Sequence, residues 1–362
     1  MNKNEQEQDS LTGRWEGSFE FQKQKQKVNM IVDFGADTIS IPQQGLQNYP
    51  SATAEAPPTA RSEQVTLDTE TGALFGTLTL PQGDGPFPLA LIIAGSGPTD
   101  RDGNSRILPG KNDSLKMLAE GLAGFGVATV RYDKRGIAAS AEAGTDESKV
   151  TFDTFIYDAV GWIEKFKCDS RFSDIDIIGH SEGSLIGMVA SYRTGVHAFV
   201  SISGSGKPIY ETLLDQLNRR MPAVVGEADR IINALREGKL VEQVSPQLRS
   251  LFRPSIQPFL ISIFGYDPAE EIRKLEVRVL IVNGSRDLQT DESQARVLSL
   301  AKPEASLCII DSMNHVLKDA PSDPEGNLAT YSDPTLPLAM GLLECVGSFL
   351  MRDSRASGKE KK

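Results

Sequence analysis

The sequence predicts an α/β protein, a mostly parallel sheet flanked by helices. Three observations carry this. Short apolar runs of strand length alternate with segments of helical periodicity over most of the chain. One run, residues 88–93, is apolar without interruption, as expected of a strand buried on both faces. A third run, Ile175-Asp176-Ile177-Ile178, leads directly into Gly179-His180-Ser181-Glu182-Gly183, and helix formers and small residues follow from Leu185 to Tyr192. That is strand, sharp turn and helix, with a serine at the apex.

The elements follow in order. Residues 11–41 alternate as strands do, with Trp15, Phe19 and Phe21 on one face and Val28, Met30, Val32 and Phe34 on another. Residues 1–48 read as a small N-terminal β unit. Residues 49–62, rich in Pro, Ala, Ser and Thr, read as a linker. Residues 63–354 form the main domain, and 355–362 a polar tail. Inside the domain, 65–67 and 73–80 read as a hairpin or meander with Thr71-Gly72 as the turn. After the 88–93 strand comes a helix over 113–125, with Leu115, Leu118 and Leu122 on one face. A strand over 126–132 ends in Asp133-Lys134-Arg135-Gly136, a helix covers 152–166, and a strand covers 198–203.

From 209 to 263 no strand pattern is found, while Leu213, Leu214, Leu217, Ile231, Ile232 and Leu235 recur at helical spacing. A stretch of roughly 55 residues between two strands far exceeds an ordinary connection. Residues of about 207–270 are therefore read as a helical cap over one end of the sheet. The alternation then resumes with a strand over 277–282, a helix over 293–300 and a last strand over 306–310. Residues 312–332 read as loop. A closing helix is expected over 336–351, with Leu338, Leu342, Val346 and Phe349 inward.

Composition narrows the function classes. The chain has 362 residues, 39% hydrophobic and 24% charged, as in an ordinary soluble globular protein. A formal net charge of −11 argues against nucleic acid and anionic membrane as partners. Cys168, Cys308 and Cys345 are too far apart in sequence for a metal-binding motif, and Cys308 and Cys345 read as small buried hydrophobes. No apolar run approaches the ~20 residues of a membrane helix. Residues 1–10 are polar, without the apolar core of a secretion signal, so a cytoplasmic location is expected.

The serine at the turn raises the question of a base. The chain has three histidines. His180 adjoins the serine and leaves the turn in another direction, and His197 opens a strand. His315 follows the last strand, on a loop able to reach over the sheet end. It is the expected base for Ser181. A histidine in this role needs an acid to fix its tautomer. Asp287 ends Asn283-Gly284-Ser285-Arg286-Asp287, directly after a strand. Asp291 reads instead as a helix cap, and Asp311 sits at the tip of the last strand. The resulting order is Ser181, Asp287, His315.

An oxyanion hole needs two backbone N–H groups. One is expected from Glu182, whose side chain is read as facing solvent. The other is expected from Ser96, with Gly97 as second choice, in Gly95-Ser96-Gly97-Pro98-Thr99-Asp100-Arg101-Asp102-Gly103-Asn104. A dinucleotide fingerprint would need glycine where Asp100 stands. A calcium loop would need glycine at Ser105 and glutamate at Lys111.

With these stretches in view, the chain resembles the α/β-hydrolase superfamily. Within it, the chain is similar to bacterial carboxylesterases with a small N-terminal β unit and a helical cap. The resemblance rests on residues 95–104, 179–183, 283–287 and 313–315. It implies a serine hydrolase of carboxylic esters with short acyl chains, using neither cofactor nor metal and acting on a small-molecule ester. Acyl-CoA thioesterases and peptidases with the same triad are the alternative. One departure is Ala94, where many members carry histidine before the oxyanion glycine. A non-catalytic binder on this fold would be expected to have lost part of the Ser181, Asp287, His315 set.

Overall fold

The computed structural model describes residues 60–351 and, ahead of them, the backbone of three strands, β1 (Thr12–Phe21), β2 (Gln24–Asp33) and β3 (Thr38–Ser40). These pair antiparallel in sequence order, with Trp15 opposite Met30. The facing side chains expected there, Phe34, the linker over 49–59 and the polar tail lie outside the described residues.

The main sheet has eight strands. Its elements are β4 (Arg61–Thr69), β5 (Gly72–Leu80), β6 (Phe87–Ile93), α1 (Ser114–Gly124), β7 (Ala128–Tyr132), α2 (Phe152–Lys167), β8 (Phe172–His180), α3 (Glu182–Thr194) and β9 (Ala198–Ile202). Five helices follow: α4 (Ile209–Arg220), α5 (Val225–Arg236), α6 (Arg249–Phe252), α7 (Gln257–Phe264) and α8 (Pro268–Arg273). The chain closes with β10 (Arg278–Gly284), α9 (Glu292–Ala301), β11 (Ser306–Ile310), α10 (Pro324–Ala329) and α11 (Leu342–Leu350). Strand order is β11-β10-β9-β8-β6-β7-β5-β4. The six strands from β7 to β11 in that order are parallel, and the β4–β5 hairpin joins antiparallel at one side.

Strand β6 explains its own composition. Leu89, Leu91 and Ile93 pack into a core with α2 and α3, whereas Ala90, Ile92 and Ala94 pack into a second core with α1 and α11. Both faces are covered, so every second residue cannot be polar. The predicted face of α1 holds: Leu115, Leu118 and Leu122 are all buried.

The helical stretch after β9 packs on α2. Phe259 of α7 meets Phe152 and Phe155 edge-on. Asp153 accepts hydrogen bonds from Ser262 at 2.6 Å and from the Tyr266 hydroxyl at 2.5 Å. Glu147, in the loop before α2, pairs with Arg253 and accepts from Ser255 at 2.6 Å.

Four expectations are corrected. Strand β4 starts at Arg61, inside the stretch read as linker, because its full length pairs with β5. The loop over 312–332 contains α10, whose Asp323 caps the Gly326 N–H and whose Pro324 opens the first turn. The closing helix starts at Leu342 rather than 336. Gly341 takes a left-handed conformation at φ +89°, and Leu338 bridges to Lys318 in extended form. Cys308 and Cys345 are half-buried rather than buried.

Candidate active site

Chain direction across the sheet creates the site. From β6 the chain crosses to β7 on one side, then returns to β8 on the other. The segments leaving β6 and β8 therefore diverge at their carboxyl ends, where open α/β sheets leave a crevice. Ser181 lies just past β8, and Gly95-Ser96 just past β6.

Ser181 has φ +54° and ψ −122°, a conformation costly for any residue with a Cβ. Its N–H is anchored on the Ile202 carbonyl at 2.9 Å, and its own carbonyl accepts from Ser184. The flanking glycines are dictated by backbone. A Cβ on Gly179 would overlap the Gly183 carbonyl in the first turn of α3, and one on Gly183 would overlap the Ile93 carbonyl at the end of β6. Strand and helix thus approach more closely than any side chain allows, and the serine is driven out above the sheet.

The three residues singled out in the sequence meet there. His315 Nε2 is 3.1 Å from Ser181 Oγ, and His315 Nδ1 is 2.8 Å from Asp287 Oδ2. Asp287 Oδ1 accepts from the N–H groups of Gln289 and Thr290, both at 2.8 Å. Burial alone would raise this carboxyl. The His315 charge, its hydrogen bond and the two N–H groups outweigh burial and hold it below the usual range. An ionised Asp287 accepts a hydrogen bond from His315 Nδ1–H and so keeps the ring proton on Nδ1, which leaves the Nε2 lone pair facing the serine hydroxyl. Asp291 caps α9 through the Ser293 N–H, as expected, and Asp311 accepts from Ser285. His197 pairs with buried Asp176 at 3.2 Å, beside Arg278 and away from the serine.

Of the two expected N–H donors, Glu182 follows Ser181 directly in the chain, and Ser96 follows Gly95, which packs against the serine. Glu182 opens α3. Gly95 lies so close that a Cβ on it would stand 3.0 Å from Ser181 Cβ and 3.5 Å from Oγ. The loop beyond is braced by charge. Arg101 pairs with Asp133 at 2.7 Å and Arg131 with Asp102 at 2.9 Å. The Asp100 carboxylate accepts from the Asp102 and Asn104 N–H groups.

Three features were not found by sequence reasoning. The Glu182 side chain does not simply face solvent: it pairs with Lys134 at 3.3 Å, and Lys134 also donates to the Gly95 carbonyl. The charged run 133–135 after β7 was the available signal, because charges directly after a buried strand need partners. His180 is the third. Its Nε2 donates to the His315 backbone carbonyl at 2.8 Å, with the rings 4.9 Å apart. Among the described residues, no group of three or more His, Cys, Asp or Glu is placed to hold a metal ion.

His180 gives a prediction for stability. Burial, helped by the charge of His315, pushes its imidazole from 6.5 down to about 3. Between those values the unfolded chain takes up a proton that the folded protein refuses, so stability rises with pH through this window. It is fully present above about pH 6.5 and is lost toward pH 3 with a slope approaching 1.4 kcal/mol per pH unit, at most. Urea unfolding from pH 4 to 8 should show a shallower slope in His180→Gln than in the wild type. Equal slopes would show that His180 is charged in the folded state.

Strand order, switch point and the turn at Ser181 define the α/β-hydrolase fold. Est1E from Butyrivibrio proteoclasticus superposes with a TM-score of 0.53 over 81% of this chain and 99% of that one, at 19% identity. The 2,6-dihydroxy-pseudo-oxynicotine hydrolase gives 0.50 over 84% of this chain and 70% of that one, at 14% identity. The protein has the α/β-hydrolase fold, the fold class expected from its sequence. Among characterised sequences, Esterase EstD of Thermotoga maritima is 27% identical over 257 residues, 69% of this chain. That match spans 59% of the length of EstD. No family model matches the chain. Among the described residues, no helix is long and apolar enough to cross a membrane.

Proposed function

We propose that the protein hydrolyses carboxylic esters of small molecules with short acyl chains through an acyl-enzyme on Ser181. The observation that carries this reading is the continuous chain Asp287–His315–Ser181, with hydrogen bonds of 2.8 and 3.1 Å. Ser181 Oγ adds to the ester carbonyl as its proton passes to His315 Nε2. The carbonyl oxygen becomes an oxyanion facing the N–H groups of Ser96 and Glu182. Collapse breaks the bond to the alcohol, which leaves with the proton from His315. Water then repeats the sequence on the acyl-serine and releases the acid. Asp287 holds the His315 tautomer and offsets its charge. None of these steps calls for a cofactor.

The likeness to EstD supports esters over thioesters and peptides as substrates. The domain division belongs to the same reading: an N-terminal β unit over 1–48, a catalytic domain that starts with β4 at Arg61 and runs to 354, and a cap of about 207–270 that shapes the acyl and alcohol sides of the site. The test is side-by-side turnover of p-nitrophenyl acetate and butyrate, an acyl-CoA and an aminopeptidase substrate. The esters should be fastest. A protein active on the thioester or peptide and inert on both esters would overturn the assignment.

A further inference from the structure

Lys134 has no part in the chemistry above, yet it occupies a costly position. Its side chain is 3% exposed. An ammonium taken so far from water loses hydration that few protein contacts return, and an apolar residue would serve stability as well. Its neighbours are committed elsewhere: Asp133 to Arg101, and Arg135 to buried Asp158. The Lys134 ammonium instead donates to the Gly95 carbonyl, pairs with Glu182 at 3.3 Å and lies 5.3 Å from the centre of the Phe155 ring.

The two polar contacts, to the Gly95 carbonyl and to Glu182, both lead to the oxyanion hole. The Gly95 carbonyl and the Ser96 N–H belong to one peptide unit. In a planar trans peptide these two groups point to opposite sides. Fixing the carbonyl on the ammonium therefore fixes the N–H direction on the other side of the unit. The plane of that peptide turns about ψ of residue 95 and φ of residue 96, and Gly95, lacking a Cβ, leaves the first of these rotations open unless its carbonyl is held. Glu182 supplies the second N–H, and its carboxylate would oppose the negative charge that develops beside it. The same ammonium offsets that carboxylate.

We propose that Lys134 is a positioning residue for the oxyanion hole, orienting the Ser96 N–H through the Gly95 carbonyl and cancelling the Glu182 charge. This rests on the esterase reading and adds to it what organises the hole. An interaction of this kind acts on the transition state more than on the bound ester.

The test compares wild type, Lys134→Met and Lys134→Arg on p-nitrophenyl butyrate and on a trifluoromethyl ketone. With the ketone, Ser181 Oγ adds to the carbonyl carbon, its proton moves to His315, and the carbonyl oxygen becomes an oxyanion in the hole. In Lys134→Met, kcat should fall about 10²-fold and ketone affinity by a similar factor, with KM changed less than about threefold. Lys134→Arg, which keeps the charge, should recover part of both losses. Unchanged kcat, a loss confined to KM, or unchanged ketone affinity would overturn the proposal. So would failure of both variants to fold, which would assign Lys134 to stability. A wild type without ester turnover would overturn the esterase reading as well; an active wild type with unchanged variants would overturn this inference alone.

Discussion

Replacing Ser181 by alanine is expected to lower kcat on p-nitrophenyl butyrate by about 10⁶-fold, with the unfolding midpoint little changed. The size follows from what is lost. In the proposed mechanism, removing Oγ removes the hydroxyl that His315 Nε2 faces at 3.1 Å, so covalent catalysis ends rather than weakens. The N–H groups of Ser96 and Glu182 remain and leave a small residual rate. The fold should survive because the elbow is held by backbone: the Ser181 N–H on Ile202, and the glycine contacts between β6, β8 and α3. Alanine keeps the Cβ that this turn already tolerates. A variant retaining a tenth of the wild-type rate would place the nucleophile elsewhere.

The second large effect is expected for Asp287→Asn, with kcat reduced about 10⁴-fold. The Asp287 carboxylate receives two backbone N–H groups on Oδ1 and the His315 Nδ1–H on Oδ2. An amide there keeps its oxygen toward the two N–H groups and turns its NH₂ toward His315. The imidazole must then carry its proton on Nε2, facing Ser181, where no lone pair remains to accept the hydroxyl proton. Substrate binding is untouched, so the loss should fall on kcat and leave KM nearly unchanged. A drop confined to KM would show that Asp287 shapes the pocket instead.

Much of this molecule is legible in its sequence. Alternation of strands and helices gave the parallel sheet, since β6, with one residue set toward each core, has to be apolar throughout. The scarcity of histidines directed attention to His315, and the structure brings it to Ser181 and Asp287. What could not be read are relations across the sheet. The order that sets β6 beside β8, and so Gly95 beside Ser181, is a long-range pairing with no local signature. The contacts of Lys134 with Gly95 and Glu182 depend on it, as does the bond from His180 to the His315 carbonyl. The C-terminal misreadings have a different cause. Leu338 fits the helical period of 342, 346 and 349, but Gly341 in a left-handed conformation ends the extended segment and delays the helix. Asp323-Pro324-Glu325 is a readable helix start within the stretch whose composition predicts a loop.

Ser181 is the proposed nucleophile. Folded wild-type protein treated with a fluorophosphonate, then digested and weighed by mass spectrometry, tests it most directly. A single adduct is expected on the peptide containing Ser181, absent from Ser181→Ala. No adduct on the folded protein, or an adduct on another residue, would contradict it.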